Sequence, residues 1–149
     1  MTDIPTFSLV AAIRPLSLQA ERQTAYRSRL RAEAVEAHGT RGFLQGDLYA
    51  RIIWFHRDKT TRDVDNITKA ILDTLKGVVF GDDHPGRKCV TERVDQGRNY
   101  EVTEPRIADW AYERLLGFLE RDIADILYVE VGPVVGQRVI FGPIDGGSE

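Results

Sequence analysis

The segment from residue 62 to residue 83 constrains this chain most, because acidic residues recur at short spacings around one apolar stretch. Asp63 and Asp65 are separated by a single residue, and Asp82 and Asp83 are adjacent. Between these two pairs, apolar residues first recur at helical spacing and then form a short continuous run. Carboxylates gathered at the start of a helix offer the oxygen ligands that Mg²⁺ takes, together with water and substrate phosphate. The segment therefore predicts a divalent-cation site and points to phosphodiester chemistry.

The composition is typical of one domain with an ordinary core. The chain has 149 residues, of which 42% are hydrophobic and 29% charged. No apolar run approaches the roughly 18 residues that span a bilayer, and the first residues lack the pattern of a secretory signal. Cys89 is the single cysteine, so no intramolecular disulfide forms, and we expect a cytoplasmic protein with no membrane partner. We expect Cys89 itself to be a small buried residue in a strand.

Charge is distributed unevenly along the chain. The formal net charge is −3, but 16 of the 20 Lys and Arg residues precede residue 100, against 13 of the 23 Asp and Glu residues. Nucleic-acid affinity depends on a local basic face, so residues 1–99 remain compatible with DNA binding. The acidity of residues 105–149 would repel DNA near a cleft. That part of the chain would instead cover the far side, extend a dimer interface or bind another protein.

Local patterns predict an α+β fold in one small domain, with a mixed β-sheet packed by helices. Runs rich in β-branched and aromatic residues predict strands at 7–13, 48–55, 78–80, 88–94, 127–131 and 139–141. Amphipathic stretches predict helices at about 19–38, from Asp65 or Asn66 to Gly77, and at 106–124. We expect residues 99–103 to pair with the strand at 88–94 as a hairpin across 95–98.

The predicted helix after Asp63 determines which charged side chains lie on the same face. In an extended segment, residues two apart point to the same face, which brings Asp63 and Asp65 together. A spacing of four places Asp65, Lys69 and Asp73 along one helix face. Asp83 follows the apolar run that returns after the helix, and we expect it to meet Asp63 and Asp65 at a metal ion.

Each of these residues also has a purely structural interpretation. On that interpretation Asp65 or Asn66 would cap the helix, and Asp73 would pair with Lys69 or Lys76. Asp82 and Asp83 belong to an ordinary turn. The combination, in this order around an apolar helix, favours the metal site over any of these interpretations taken singly.

The order of the motif resembles the signature of the RusA-like Holliday junction resolvases. The resemblance is carried by Asp63-Val64-Asp65-Asn66, Lys69-Ala70, Asp73, Leu75, Gly77-Val78-Val79-Phe80 and Asp82-Asp83. Weaker similarity extends from the first strand to about Val102. The resemblance implies a homodimeric endodeoxyribonuclease, often carried by prophages, which uses Mg²⁺ or Mn²⁺ and resolves four-way junctions by paired symmetric nicks.

The resemblance also implies roles for individual residues. Asp63, Asp65 and Asp83 would be the metal-binding catalytic carboxylates, and Lys69 would be a catalytic lysine near the scissile phosphate. On this basis we expect a RusA-like nuclease domain over residues 1–104. Residues 105–149 would form a C-terminal helix and strand extension packed on the same domain.

Basic residues beside the acidic cluster are candidates for holding branched DNA. Arg57, Lys59 and Arg62 adjoin the cluster, and we predict that they bind DNA phosphates. Two alternatives stay open. One is a module of the same fold that binds branched DNA or a phage partner without cutting. The other is a phosphohydrolase acting on small nucleotides, although the chain lacks a glycine-rich phosphate loop.

Overall fold

Helices pack on both faces of a four-stranded mixed sheet in this computed structural model, which describes residues 6–16, 23–57, 64–81, 88–103 and 105–143, with the backbone alone at 64–66. The strands are β1 (Phe7–Ala11), β2 (Leu48–His56), β3 (Lys88–Asp95) and β4 (Asp125–Pro133). The helices are α1 (Gln23–His38), α2 (Val64–Leu75) and α3 (Asp109–Glu120). The predicted α+β class is confirmed.

The order of strands in the sheet is β1-β4-β2-β3, so the last strand of the chain lies between the first two. β4 pairs antiparallel with both β1 and β2, whereas β3 pairs parallel with β2. A parallel pair needs a long connection, and α2 supplies it. Consequently α2 begins near the end of β2 and finishes near the start of β3.

Alternate residues along each strand face opposite sides of the sheet and build two cores. On one face, residues such as Leu9, Ile52 and Val129 pack under α1 and α2. On the other face, Val10 and Tyr128 pack against α3. Each helix therefore covers one side of a sheet whose central strands are buried.

The apolar run at 78–80 is a turn and not the strand that its composition predicts. Gly77 follows α2 with a φ of 87°, the left-handed conformation expected after a helix. Its N–H donates to the carbonyl oxygen of Phe80 at 2.7 Å, while the carbonyl oxygen of Val79 accepts from the N–H of Leu44 at 2.8 Å. Val79 and Phe80 are buried as predicted, but their backbone groups close a turn.

The predicted hairpin between β3 and residues 99–103 is wrong. Among the described residues β3 pairs with β2 alone, and residues 99–103 form no strand. The turn after β3 is tight, because the N–H of Gly97 donates to Asp95 Oδ1 at 2.8 Å. Tyr100 then packs on Phe55 with ring centroids 5.9 Å apart. The chain thus crosses the face that α3 covers and does not return along β3.

The strand predicted at 139–141 is also absent from the described part of the chain. β4 already has a neighbour on each side, so it offers no free edge to a following strand. Val135 and Phe141 are 92% and 91% exposed. The preceding helix is shorter than predicted as well, since α3 ends at Glu120 and Asp122 adopts a φ of 57°.

Cys89 lies in β3, as predicted, but its side chain is exposed where we expected burial. β3 is an edge strand, and Cys89 is its second residue. Helix α2 contacts β3 further along, where the hydroxyl oxygens of Thr68 and Thr91 lie 2.6 Å apart. The thiol of Cys89 therefore lies two residues before the point at which β3 is hydrogen-bonded to α2.

Candidate metal site and DNA-binding edge

Helix α2 is held firmly by its apolar side. Four of its side chains are completely buried in the core: Ile67, Ala70, Ile71 and Leu75. Thr68 adds the hydrogen bond to Thr91 that joins the first turns of the helix to β3. These contacts fix the rotation of α2 about its own axis, so they also fix which of its residues face solvent.

Lys69 and Asp73 lie on the solvent side of α2, as their spacing of four predicts. Both side chains are exposed. No ion pair between Lys69 and Asp73 is present among the described residues, so the pairing of Asp73 with Lys69 that the sequence left open is not formed. The helix therefore presents the ammonium group of Lys69 one turn beyond Asp65.

Asp65 is the second residue of α2. The N–H groups of a first helical turn have no acceptor within the helix, and the helix dipole favours negative charge there. The other predicted ligands, Asp63 and Asp83, lie outside the described residues. Within the described residues, no three His, Cys, Asp or Glu side chains gather in a way that holds a metal ion. The metal site accordingly stays a prediction.

The residues that flank segment 82–87 lie after α2 and at the start of β3. The turn after α2 leads to Gly81, and β3 begins at Lys88 beside the start of β2. Asp65 lies near the opposite end of α2, about 15 Å away along the helix axis. The described residues that flank Asp83 therefore lie at the end of α2 away from Asp65.

Three basic residues are predicted to bind DNA. Arg57 lies within the described part of the chain, and Lys59 and Arg62 lie outside it. Arg57 Nη2 donates to Gln96 Oε1 at 3.1 Å and to Asp122 Oδ1 at 3.3 Å. Arg57 thus joins the end of β2 to the turns after β3 and α3. The guanidinium is 39% exposed, and exposed ion pairs of this kind are weak.

Two residues that sequence reasoning missed organise the same end of the sheet. Gln96 Nε2 donates to the carbonyl oxygens of Ile123 and Ala124, at 3.1 Å each. Asp125 Oδ1 accepts a hydrogen bond of 3.0 Å from Trp54 Nε1. These partners are 27 to 71 residues apart in the chain, and neither residue belongs to a recognisable motif. A single sequence carries no signal for them.

The described helices and strands form a small α+β domain, with Lys69 exposed on α2. The family model described as Endodeoxyribonuclease RusA matches residues 12–107, more than half of the chain. This protein belongs to the RusA family of endodeoxyribonucleases, the RusA-like Holliday junction resolvases whose signature its motif resembles. The match spans α1, β2, α2 and β3, while β1, α3 and β4 lie outside it.

No curated protein matches the chain. Within the described residues, none of the helices combines the length and the apolar character needed to cross a membrane.

Proposed function

We propose that this protein is a metal-dependent endonuclease that resolves four-way DNA junctions by paired symmetric nicks. The observation that carries the proposal is the family match across the whole acidic motif. The matched range, residues 12–107, contains Asp63, Asp65, Lys69 and Asp83. The exposed position of Lys69, on a helix anchored in the core, supports a role in contacting a large substrate.

The donor set fits a hard divalent cation. Carboxylates of Asp63, Asp65 and Asp83 would hold Mg²⁺, or Mn²⁺, through oxygen. When bound, the metal supplies a polarised phosphate and a water of lowered pKa. The first turn of α2 favours the charged form of Asp65, because free N–H groups and the helix dipole stabilise negative charge there. Lys69 would offset the charge that builds on the phosphate oxygens during attack.

The symmetry of the substrate supports a homodimer. A four-way junction has approximate two-fold symmetry, and its resolution needs two opposed nicks. A two-fold dimer presents two identical sites in matching positions. Light scattering should therefore give a mass of twice the 16.8 kDa of one chain.

The first experiment compares cleavage of a synthetic four-way junction with cleavage of a linear duplex, in Mg²⁺ and in EDTA. We expect paired symmetric nicks on the junction, only with metal. Asp65→Asn should abolish cutting, a loss larger than the about 10- to 100-fold typical of changes around metal ligands. Junction binding should persist or improve, because a negative charge that faces phosphate is removed. Glu113→Gln, the same change of charge at an exposed residue of α3, is the matched control.

Each contrary result has a distinct meaning. Junction binding without cutting in any metal would identify a non-cleaving binding module. Equal cutting of the linear duplex would remove the selectivity for junctions. Full activity of Asp65→Asn would remove Asp65 from the metal site. Loss of both binding and cutting in Asp65→Asn, but not in Glu113→Gln, would indicate that the variant is misfolded, which circular dichroism checks.

A further inference from the structure

Three arginines form a row along the edge of the sheet near which α2 begins. β4 is antiparallel to both β1 and β2, and β3 is parallel to β2, so β1, β2 and β3 all end at one edge. Arg14 follows β1, Arg57 follows β2 and Arg98 follows β3. In the order β1-β4-β2-β3 the row spans the sheet, about 14 Å at about 4.8 Å per strand.

Each arginine of this row forms an ion pair with its own carboxylate at the same edge. The pairs are Arg14 Nη1 with Asp125 Oδ2 at 4.0 Å, Arg57 Nη2 with Asp122 Oδ1 at 3.3 Å, and Arg98 Nε with Asp95 Oδ2 at 3.5 Å. All three separations exceed the about 2.8 Å of a strong charge-assisted hydrogen bond. Exposed pairs this long stabilise a fold little. Each guanidinium has five N–H donors, so most of its donors are left for another acceptor.

Hydrogen bonds fix the acidic partners in place. The backbone between Asp122 and Asp125 is held by Gln96, whose Nε2 donates to the carbonyl oxygens of residues 123 and 124. Asp125 is also held by Trp54, which is completely buried. Each of the three arginines therefore lies beside a carboxylate without being buried: the side chains of Arg14 and Arg98 are 42% and 85% exposed.

We propose that Arg14, Arg57 and Arg98 together bind phosphates of the junction arms, and that their carboxylates hold them in position until DNA displaces the pairs. The inference rests on the proposed function and adds Arg14 and Arg98 to its DNA-binding surface. A guanidinium fork matches two phosphate oxygens, which a single carboxylate oxygen at 3.3–4.0 Å does not. DNA bound along this edge passes the beginning of α2, which contains Asp65.

Salt dependence of junction binding tests the inference. We would measure the affinity of the full chain for a synthetic four-way junction in EDTA, over a series of salt concentrations. Each phosphate contact contributes about 0.9 to the slope of log affinity against log salt. The double variant Arg14→Ala/Arg98→Ala should therefore reduce the slope by about 2. Asp122→Asn should bind several-fold more tightly, because it releases Arg57 and removes a negative charge.

Arg51→Ala is the matched control. Arg51 pairs with Glu92 at 4.0 Å and is 46% exposed, close to the values of 4.0 Å and 42% for Arg14. It lies six residues before Arg57, about 20 Å back along β2. Its replacement removes one arginine charge from a place outside the row, so the slope of log affinity against log salt should equal that of the unchanged protein.

The outcomes separate the inference from the proposed function. An unchanged slope in the double variant, or an equal fall in Arg51→Ala, overturns the arginine row while junction cutting stands. If the double variant fails to fold by circular dichroism, Asp122→Asn decides, and no gain in affinity overturns the row. If the unchanged protein neither binds nor cuts junctions in any metal, the proposed function fails, and the inference fails with it.

Discussion

Glu130 is a buried carboxylate in β4, and both of its oxygens accept hydrogen bonds from tyrosines. Tyr49 donates to Oε2 at 2.7 Å, and Tyr128 donates to Oε1 at 2.5 Å. Burial first, and then the Glu130 carboxylate, raise the pKa of both tyrosines well above the ordinary 10.0. Ionisation of either tyrosine would remove the proton that it donates to Glu130, and would place a second negative charge beside that carboxylate.

The raised tyrosine pKa values predict that stability falls as pH rises above 10.0. Above that pH the unfolded chain loses the two protons while the folded protein keeps them, so the free energy of unfolding decreases with pH. The double variant Tyr49→Phe/Tyr128→Phe should lose at least about 2 kcal/mol at neutral pH. It should also show a flatter alkaline decline. Urea unfolding at neutral pH and at several pH values above 10 measures both effects.

Tyr100 provides the control for this prediction. It is exposed and contacts Phe55 through its ring, so Tyr100→Phe should keep the full alkaline decline. An alkaline decline as steep in the double variant as in the unchanged protein would mean that other groups cause it.

At the scale of elements, the end of α2 depends on Gly77. Its φ of 87° lies in the left-handed region, which a β-carbon disfavours by about 1–2 kcal/mol. A β-carbon built there has no heavy atom within 4 Å, so any loss reports the backbone conformation alone. We predict that Gly77→Ala lowers the free energy of unfolding by about 1 kcal/mol, measured by urea unfolding.

Gly117 gives this prediction a control of opposite sign. It lies inside α3, and a β-carbon there also has free space within 4 Å. Gly117→Ala should raise the free energy of unfolding by about 0.5–1 kcal/mol, because alanine loses less conformational freedom in a helix. If both alanines change stability in the same direction, the conformation of Gly77 is not what ends α2.

The prediction of a helix or strand from sequence succeeds where its pattern is local. It fails where the element depends on a packing partner that is distant in the chain. The recurrence of Ile67, Ile71 and Leu75 predicts α2 and its buried side, and the exposure of Lys69 follows from the same spacing. Residues 78–80 have the composition of a strand. Whether a strand forms there depends on a free edge of the β-sheet, which the rest of the fold decides. The predicted hairpin of residues 99–103 fails for the same reason, because Tyr100 packs on Phe55, 45 positions earlier in the chain.

At the scale of the whole molecule, the position of β4 decides which residues meet. Chain order gives no sign that β4 enters between β1 and β2. Yet this insertion makes β1, β2 and β3 end at one edge, and it brings Arg14 within reach of Asp125. The acidic motif could be recognised from sequence because its residues are close in the chain. The arginine row could not, because Arg14 and Arg98 are 84 positions apart and share one edge only through the order of the strands in the sheet.

The central position of β4 predicts that residues 105–149 are required for folding, although the family match ends at residue 107. Without them, β1 loses its only strand neighbour in the described sheet, and the buried side chains of β1 and β2 lose their cover. A chain of residues 1–104 should therefore show no cooperative urea transition. A chain of residues 1–134 is the matched control. It keeps β4 and the hydrogen bond from the N–H of Val134 to the carbonyl oxygen of Asp47 at 2.9 Å.

The control chain loses the exposed apolar residues of the C-terminal segment, which are Val135, Val139, Ile140 and Phe141. These side chains are mostly in water in the folded protein, so removing them should change the free energy of unfolding by less than about 1 kcal/mol. Far-UV circular dichroism during urea titration measures both truncations. A cooperative transition in residues 1–104 would show that the family-matched part folds without its central strand. Loss of the transition in residues 1–134 would instead place essential contacts after β4, where the described side chains make few.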